Sequence, residues 1–189
     1  MKRIGILGDI GSGKSYVAKK FGYPVFNADE EVSILYKKNR KILFKLNKIL
    51  PKYIKSFPIN KIEITEAILA NKKNLKKIIK IVHFEIKKKM KLFLKKNKYK
   101  KIVILDVPLL LENKINKKRD ILIFVQSKKK SIFQKLQKRK NFNRKLFQIF
   151  KNIQLPLDYK KSKSQFIINN DFKEKTVTKE INKILQKIL

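Results

Sequence analysis

The sequence predicts an α/β fold in three layers, α/β/α, around a five-stranded parallel sheet, with two helical insertions. Three observations predict it. The pattern Gly8-Asp9-Ile10-Gly11-Ser12-Gly13-Lys14-Ser15 follows a short apolar run at the N-terminus. A continuous apolar run, Ile102-Val103-Ile104-Leu105, closes on Asp106, as strands buried on both faces do. Strand-like runs then alternate with helical spacing along the 189 residues, which implies right-handed parallel crossovers.

In chain order, Arg3 to Leu7 is the first strand, and the helix after the glycine-rich turn begins near Tyr16. Tyr23 to Phe26 reads as a short second strand, ending at Asn27-Ala28-Asp29. From Glu30, helical spacing returns with Val32, Leu35 and Tyr36 on one face. A helix over 41–50 stops at Pro51. A long helical tract covers 61–96 with a break near Asn71 to Asn74. Lys101 to Asp106 is the third strand and Asp120 to Val125 the fourth. Helices follow at 128 to about 140 and 144 to about 153, then a fifth strand from Phe166 to Asn170 and an amphipathic helix over 175–189. The chain reads as one domain. Its core is about 1–29, 97–127 and 161–189, with helical insertions at about 30–96 and 128–160.

Composition sets limits. The formal charge of +36 invites a nucleic-acid reading. However, Lys, Ile, Asn and Phe are all abundant and share AT-rich codons, and the basic residues form no arm or tail. Mutational bias therefore accounts for the charge at least as well. There is no cysteine, which excludes disulfide and thiol chemistry. No run reaches the roughly 18 apolar residues of a membrane span. The expectation is a soluble, cytoplasmic monomer without a signal peptide.

The chemistry centres on the first motif, which fits G-x-x-x-x-G-K-[ST] at every fixed position. Glycines let backbone N–H groups close around phosphate oxygens, and the helix N-terminus adds partial positive charge. A nucleotide is the expected ligand, its phosphates held by Gly11, Ser12, Gly13, Lys14, Ser15 and the following Tyr16. Lys14 reaches the β- and γ-phosphates, and the Ser15 hydroxyl ligates Mg²⁺. Asp29, Asp106 and Asn170 end strands of one parallel sheet and face the crevice where ligands bind in such folds. Asp29 is the candidate base, with an N-cap as its plainer alternative. Asp106 meets Mg²⁺ through water or braces the phosphate loop. Arg139 and Arg144 lie where a planar guanidinium can close over a triphosphate, or are simple surface charge. His83, the single histidine, carries no role from its context alone.

These residues resemble the dephospho-CoA kinase family. Ile4-Gly5-Ile6-Leu7-Gly8 through Ser15 looks like the family's GLTGGIGSGKS, with Asp9 in place of a glycine. Asn27-Ala28-Asp29 resembles its D-A-D segment. Asn60-Lys61 falls at its Asp-Arg, and His83-Phe84 at its His-Pro. Asp106-Val107-Pro108-Leu109-Leu110-Leu111-Glu112 is close to D-x-P-L-L-F-E. Gln134, Leu136 and Arg139 match Q-R-L-x-x-R; Gln154-Leu155-Pro156-Leu157 with Lys160 resembles Q-x-P-x-x-x-K. Phe166 to Asn170 resembles D-x-V-I-x-N, with Gln165 for the Asp.

The resemblance implies a kinase that moves the γ-phosphoryl of ATP to the ribose 3′-hydroxyl of dephospho-CoA, the last step of coenzyme A synthesis. It implies Asp29, Lys14 and the lid residue Arg139 as catalytic, and Lys61, His83, Asp106, Pro108 and Leu109 as substrate-binding. Departures from the pattern include Tyr16 for the family's Thr, Lys61 for Arg, Phe84 for Pro, and Phe150 where a lid arginine often stands. Competing readings are another nucleoside or nucleotide kinase with a phosphate loop, and a basic nucleic-acid-binding protein. The latter leaves the phosphate loop unexplained and shows no reader motif.

Overall fold

A computed structural model describes residues 1–139 and 142–189. The elements run β1 (Lys2–Gly8), α1 (Lys14–Lys20), β2 (Val25–Asn27), α2 (Ala28–Lys38), α3 (Arg40–Ile49), α4 (Lys61–Ala70) and α5 (Lys72–Lys96). They continue with β3 (Ile102–Asp106), β4 (Ile121–Gln126), α6 (Lys129–Gln137), α7 (Arg144–Asn152), α8 (Leu157–Ser162), β5 (Phe166–Asn169) and α9 (Glu174–Ile188). The sheet order is β2-β3-β1-β4-β5, and every pairing is parallel. The fold is therefore the expected α/β architecture.

Side-chain alternation explains the layers. Successive residues of a strand point to opposite faces. Ile4, Ile6, Ile102, Ile104, Ile123, Val125 and Ile168 join one apolar cluster with Val17, Ala18 and Phe21 of α1 and Val177, Ile181, Ile184 and Ile188 of α9. On the other face Gly5 leaves room for Leu110 and Leu122: a Cβ at Gly5 would lie 2.6 Å from Leu110 Cδ2 and 2.9 Å from Leu122 Cδ2. Helix α8 also packs against β1. Helix α9 puts Val177, Ile181, Ile184 and Ile188 inward at helical spacing and leaves its lysines outside.

The chain divides into two compact units. The first holds Met1–Asn27, Asn97–Phe142 and Ile153–Leu189, and thus the sheet. The second holds Ala28–Lys96 and Asn143–Asn152 and is helical. In that second unit Asn39 caps α3 by accepting from Ile42 N, and Asn60 caps α4 by accepting from Ile62 N at 2.9 Å. The expected break in the long tract falls at Asn71, whose extended backbone (φ −154°, ψ 118°) ends α4. Its side chain accepts from Lys73 N, starting α5, and buried Asn74 donates to Ala67 O at 2.8 Å across the corner.

Three details differ from the sequence expectation. Strand β2 starts at Val25, two residues late, because Pro24 lacks an N–H for the ladder and instead accepts from Ile104 N through its carbonyl. Helix α2 starts at Ala28, earlier than Glu30. Helix α8 is an unexpected six-residue helix, too short for a periodic signal. The expected end of α6 near Lys140 lies outside the described residues.

Candidate functional site: a phosphate loop and the strand ends around it

Strand β1 delivers the chain to Gly8 in the middle of the sheet, with β3 on one side and β4 on the other. The turn that follows is built from its own polar groups. Ser12 N donates to Asp9 O at 3.2 Å, closing the loop. The first intrahelical bond of α1, Val17 N to Gly13 O at 3.0 Å, comes only after the N–H groups of Gly13 to Tyr16.

Gly13 occupies the left-handed region (φ 87°, ψ 20°), which L side chains rarely adopt. A Cβ there would also lie 2.3 Å from Asn170 Nδ2. At Gly8 a Cβ would lie 2.6 Å from Val125 O. Both glycines are thus required by close approach of backbone and side chains, quite apart from any ligand. Gly11 rests on α6, with Ile132 and Leu136 atoms 3.0 Å from where its Cβ would be.

Lys14 is half-buried and donates from Nζ to Asp9 O at 2.7 Å and to Gly8 O at 3.3 Å. Ser15 is exposed in the first turn of α1. Ser12 is fully buried, and its hydroxyl has no hydrogen-bond partner among the described residues. Tyr16 packs against the sheet cluster, with Lys20 Nζ 5.7 Å from its ring centroid. Asp9 is buried, and its Oδ1 accepts from Ile10 N at 2.7 Å, within its own turn.

Two neighbouring strand ends brace this loop. Asn170, just past β5, donates from Nδ2 to Ser12 O at 2.8 Å. Ser127, just past β4, donates from Oγ to the same oxygen at 3.0 Å. Asn170 was legible as the polar end of a strand; Ser127 was not, since a lone serine after an apolar run has no distinctive signal. Asp106, at the end of β3, is 4% exposed and accepts at Oδ2 from Asn27 Nδ2 at 3.1 Å. It therefore ties β3 to β2 at the same edge of the sheet.

The segment after Asp106 is held tightly. Pro108 and Leu109 are half-buried, and Leu109 has a left-handed backbone (φ 59°), uncommon for a non-glycine residue. Its carbonyl accepts from both Asn113 N and Asn113 Nδ2 at 3.0 Å. Glu112 turns inward to Lys160 of α8, Nζ to Oε1 2.7 Å. The same oxygen accepts from Leu155 N at 3.0 Å, and Lys160 Nζ also reaches Gln154 Oε1 at 3.2 Å. Two stretches that the sequence presents as separate matches are thus one buried polar cluster. Gln165, replacing the family's Asp, accepts from Leu122 N at 2.7 Å and so serves the β4–β5 edge.

Arg139 is exposed two residues past α6, its N–H donating to Leu136 O at 3.1 Å. Arg144 is the exposed first residue of α7, and Phe150 of the same helix is half-buried. In the second unit, Asp29 is exposed in the first turn of α2, beside Glu30 and Glu31. It sits inside the helix, so the N-cap alternative does not describe it. Lys61 is the exposed first residue of α4. His83 is half-buried on α5, and burial, with the Lys87 cation one turn on, lowers its pKa below the usual imidazole value. Among the described residues no group of three His, Asp or Glu side chains forms a protein metal cage, and no helix is long and apolar enough to cross a membrane.

A family model for dephospho-CoA kinase matches residues 2–176. The chain belongs to the dephospho-CoA kinase family. A protein of Bartonella quintana named dephospho-CoA kinase is 32% identical over 94 residues, 48% of either chain. A counterpart from the Wolbachia of Brugia malayi is 33% identical over 92 residues, 47% of either chain. The chain spans about half the length of the curated relatives it matches. Among solved structures, a dephospho-CoA kinase from Campylobacter jejuni superposes with a TM-score of 0.64 at 20% identity, covering 99% of this chain and 97% of that one. At such identity the likeness is one of fold.

Proposed function

We propose that the protein transfers the γ-phosphoryl group of ATP to the ribose 3′-hydroxyl of dephospho-CoA, giving CoA and ADP in the cytoplasm. Membership of the family supports this reading. The observation that carries it is the loop from Gly8 to Ser15, whose glycines, buried Ser12 and Lys14 have the chemistry a triphosphate requires.

In this reading the N–H groups of Gly11 and of Gly13 to Tyr16 bind phosphate oxygens, while that of Ser12 stays on Asp9 O. Lys14 exchanges the Asp9 carbonyl for a β- or γ-phosphate oxygen. The Ser12 hydroxyl, without a partner among the described residues, and the exposed Ser15 hydroxyl fit an anion and its Mg²⁺ counter-ion. With no acidic cage among the described residues, Mg²⁺ would rest on Ser15 and the phosphates. Bound there, the ion neutralises charge on the transferring group.

Asp29 orients the 3′-hydroxyl and takes its proton as the oxygen attacks γ-phosphorus and ADP leaves. Arg139, in a lid over about 128–160, neutralises the phosphates with its planar guanidinium. Lys61, His83, Asp106, Pro108 and Leu109 bind dephospho-CoA, with the helical segment 30–96 as its main holder. The lowered pKa of His83 favours its neutral imidazole, suited to hydrogen bonding rather than to charge pairing.

The test is ADP release with ATP, Mg²⁺ and dephospho-CoA, with Lys14→Ala as the control. Acceptor-dependent ADP release that Lys14→Ala abolishes, in a variant that still folds, is the expected result. Release driven instead by a nucleoside would give the acceptor to a different kinase class, and no release above background would sink the reading.

A further inference from the structure

We infer that Asn170 and Ser127 are positioning residues that aim the Gly13 N–H by clamping the Ser12 carbonyl, an inference that rests on reading Gly8–Ser15 as the triphosphate site. Two donors converge on one oxygen: Asn170 Nδ2 at 2.8 Å and Ser127 Oγ at 3.0 Å. They come from the ends of adjacent, paired strands, β5 and β4.

The amide of Asn170 has a defined orientation. Its Oδ1 accepts from Phe172 N at 2.9 Å, so Nδ2 faces Ser12. The residue is 3% exposed, and its own N–H donates to Gln126 O at 2.8 Å. That backbone bond already continues the β4–β5 ladder, so the side-chain bond to Ser12 is additional to what pairing requires.

A trans peptide is planar, and its C=O and N–H point in opposite directions. With Ser12 O held against the strand ends, the N–H of Gly13 must project away from them. The Ser12 side chain does not set this orientation, because its buried hydroxyl has no partner among the described residues. The clamp also explains Gly13: a Cβ would lie 2.3 Å from Asn170 Nδ2. Donor and loop approach as closely as glycine permits. The sheet's polar strand ends thus pre-set a backbone donor, so that binding phosphate does not have to reorient it.

The experiment titrates ATP and inorganic triphosphate, without acceptor, into wild type, Asn170→Asp, Ser127→Ala and Ser127→Thr. Asn170→Asp keeps the size and the acceptor for Phe172 N but turns a carboxylate oxygen toward Ser12 O; its added charge also repels anions, so the uncharged Ser127→Ala and Ser127→Thr pair reads the clamp free of that repulsion. Expected is about a tenfold loss of affinity for both ligands in Asn170→Asp and a severalfold loss in Ser127→Ala. Ser127→Thr, which retains the hydroxyl, restores wild-type binding. In turnover, KM for ATP rises while KM for the acceptor stays. Unchanged affinity for ATP and triphosphate in Asn170→Asp and Ser127→Ala overturns the inference, whatever happens to Tm. Should Asn170→Asp not fold, the Ser127→Ala and Ser127→Thr pair decides alone. A wild type that binds ATP but phosphorylates no dephospho-CoA refutes the functional reading and leaves the clamp to be scored on binding. A wild type that binds neither ligand overturns both.

Discussion

Lys160 and Glu112 form a buried ion pair, Nζ to Oε1 2.7 Å, with their side chains only 4% and 10% exposed. It joins the segment after β3 to α8 on the face of the sheet where Leu110 fills the space left by Gly5. Opposite charges at this burial stabilise only when both are present, since removing one strands the other without water. Lys160→Met should therefore destabilise the protein by about 3–5 kcal/mol, and Glu112→Leu similarly. The double variant should recover much of that loss, because it leaves no uncompensated charge. Urea unfolding of the two single variants and the double measures this. Single variants with wild-type midpoints would show that the pair contributes nothing to stability.

Asp29 occupies a position where mutation separates chemistry from folding. It is exposed in the first turn of α2, and Glu30 and Glu31 remain there to interact with the helix N-terminus. Asp29→Asn should hence leave thermal stability nearly unchanged. As the proposed base it should lower kcat by about 10²- to 10⁴-fold, with ATP affinity close to wild type. Steady-state kinetics with an ATP titration checks both quantities. Parallel loss of kcat and ATP affinity would make Asp29 a structural residue of the helix.

The residues that could be read in advance were those whose local chemistry is self-sufficient. Gly8 to Ser15 carries its own spacing, and the continuous apolar run into Asp106 announces a buried parallel strand whatever its neighbours. Asn71 and Asn74 marked a break because asparagine offers the backbone an alternative partner, and the structure uses both side chains that way. What could not be read depended on contacts distant in sequence. Glu112 and Lys160 are 48 positions apart, by subtraction of their numbers, and nothing in either stretch names the other. Ser127 acquires meaning only because β4 ends beside the phosphate loop. Helix α8, six residues with five of them charged or hydroxyl-bearing by its sequence LDYKKS, has too little periodicity to be detected.

His83 predicts a pH dependence with a definite sign. Burial first, then the Lys87 cation, lowers its pKa below 6.5 in the folded protein. The unfolded chain therefore takes up a proton at a higher pH than the folded one. Stability is fully present above the unfolded pKa and is lost as pH falls through the folded value. Melting temperature should be flat from pH 8 to about 7 and then decline as the imidazole of the unfolded chain titrates near 6.5. His83→Gln, which cannot titrate, should flatten the decline in the interval just below about pH 6.5. Identical melting profiles for His83→Gln and wild type over that interval would show that His83 is not linked to folding.

Asp9 places a carboxylate inside the phosphate loop, at a position where the family pattern has glycine. The side chain is buried and its Oδ1 accepts from Ile10 N at 2.7 Å, so the charge is held within the turn. Its repulsion of a bound triphosphate is long-ranged enough to act from there, being about 2 kcal/mol for unit charges some 8 Å apart at an effective dielectric near 20. Asp9→Asn retains an oxygen for Ile10 N and removes the negative charge. It should tighten ATP binding by about three- to tenfold at low ionic strength, with the gain shrinking as salt screens the pair. Asp9→Gly should show the same electrostatic gain, offset by the loss of about 1 kcal/mol from the missing hydrogen bond to the turn. Calorimetric titration of ATP at two salt concentrations distinguishes the terms. Equal affinity of Asp9→Asn and wild type at low salt would mean that the turn already neutralises this carboxylate toward the ligand.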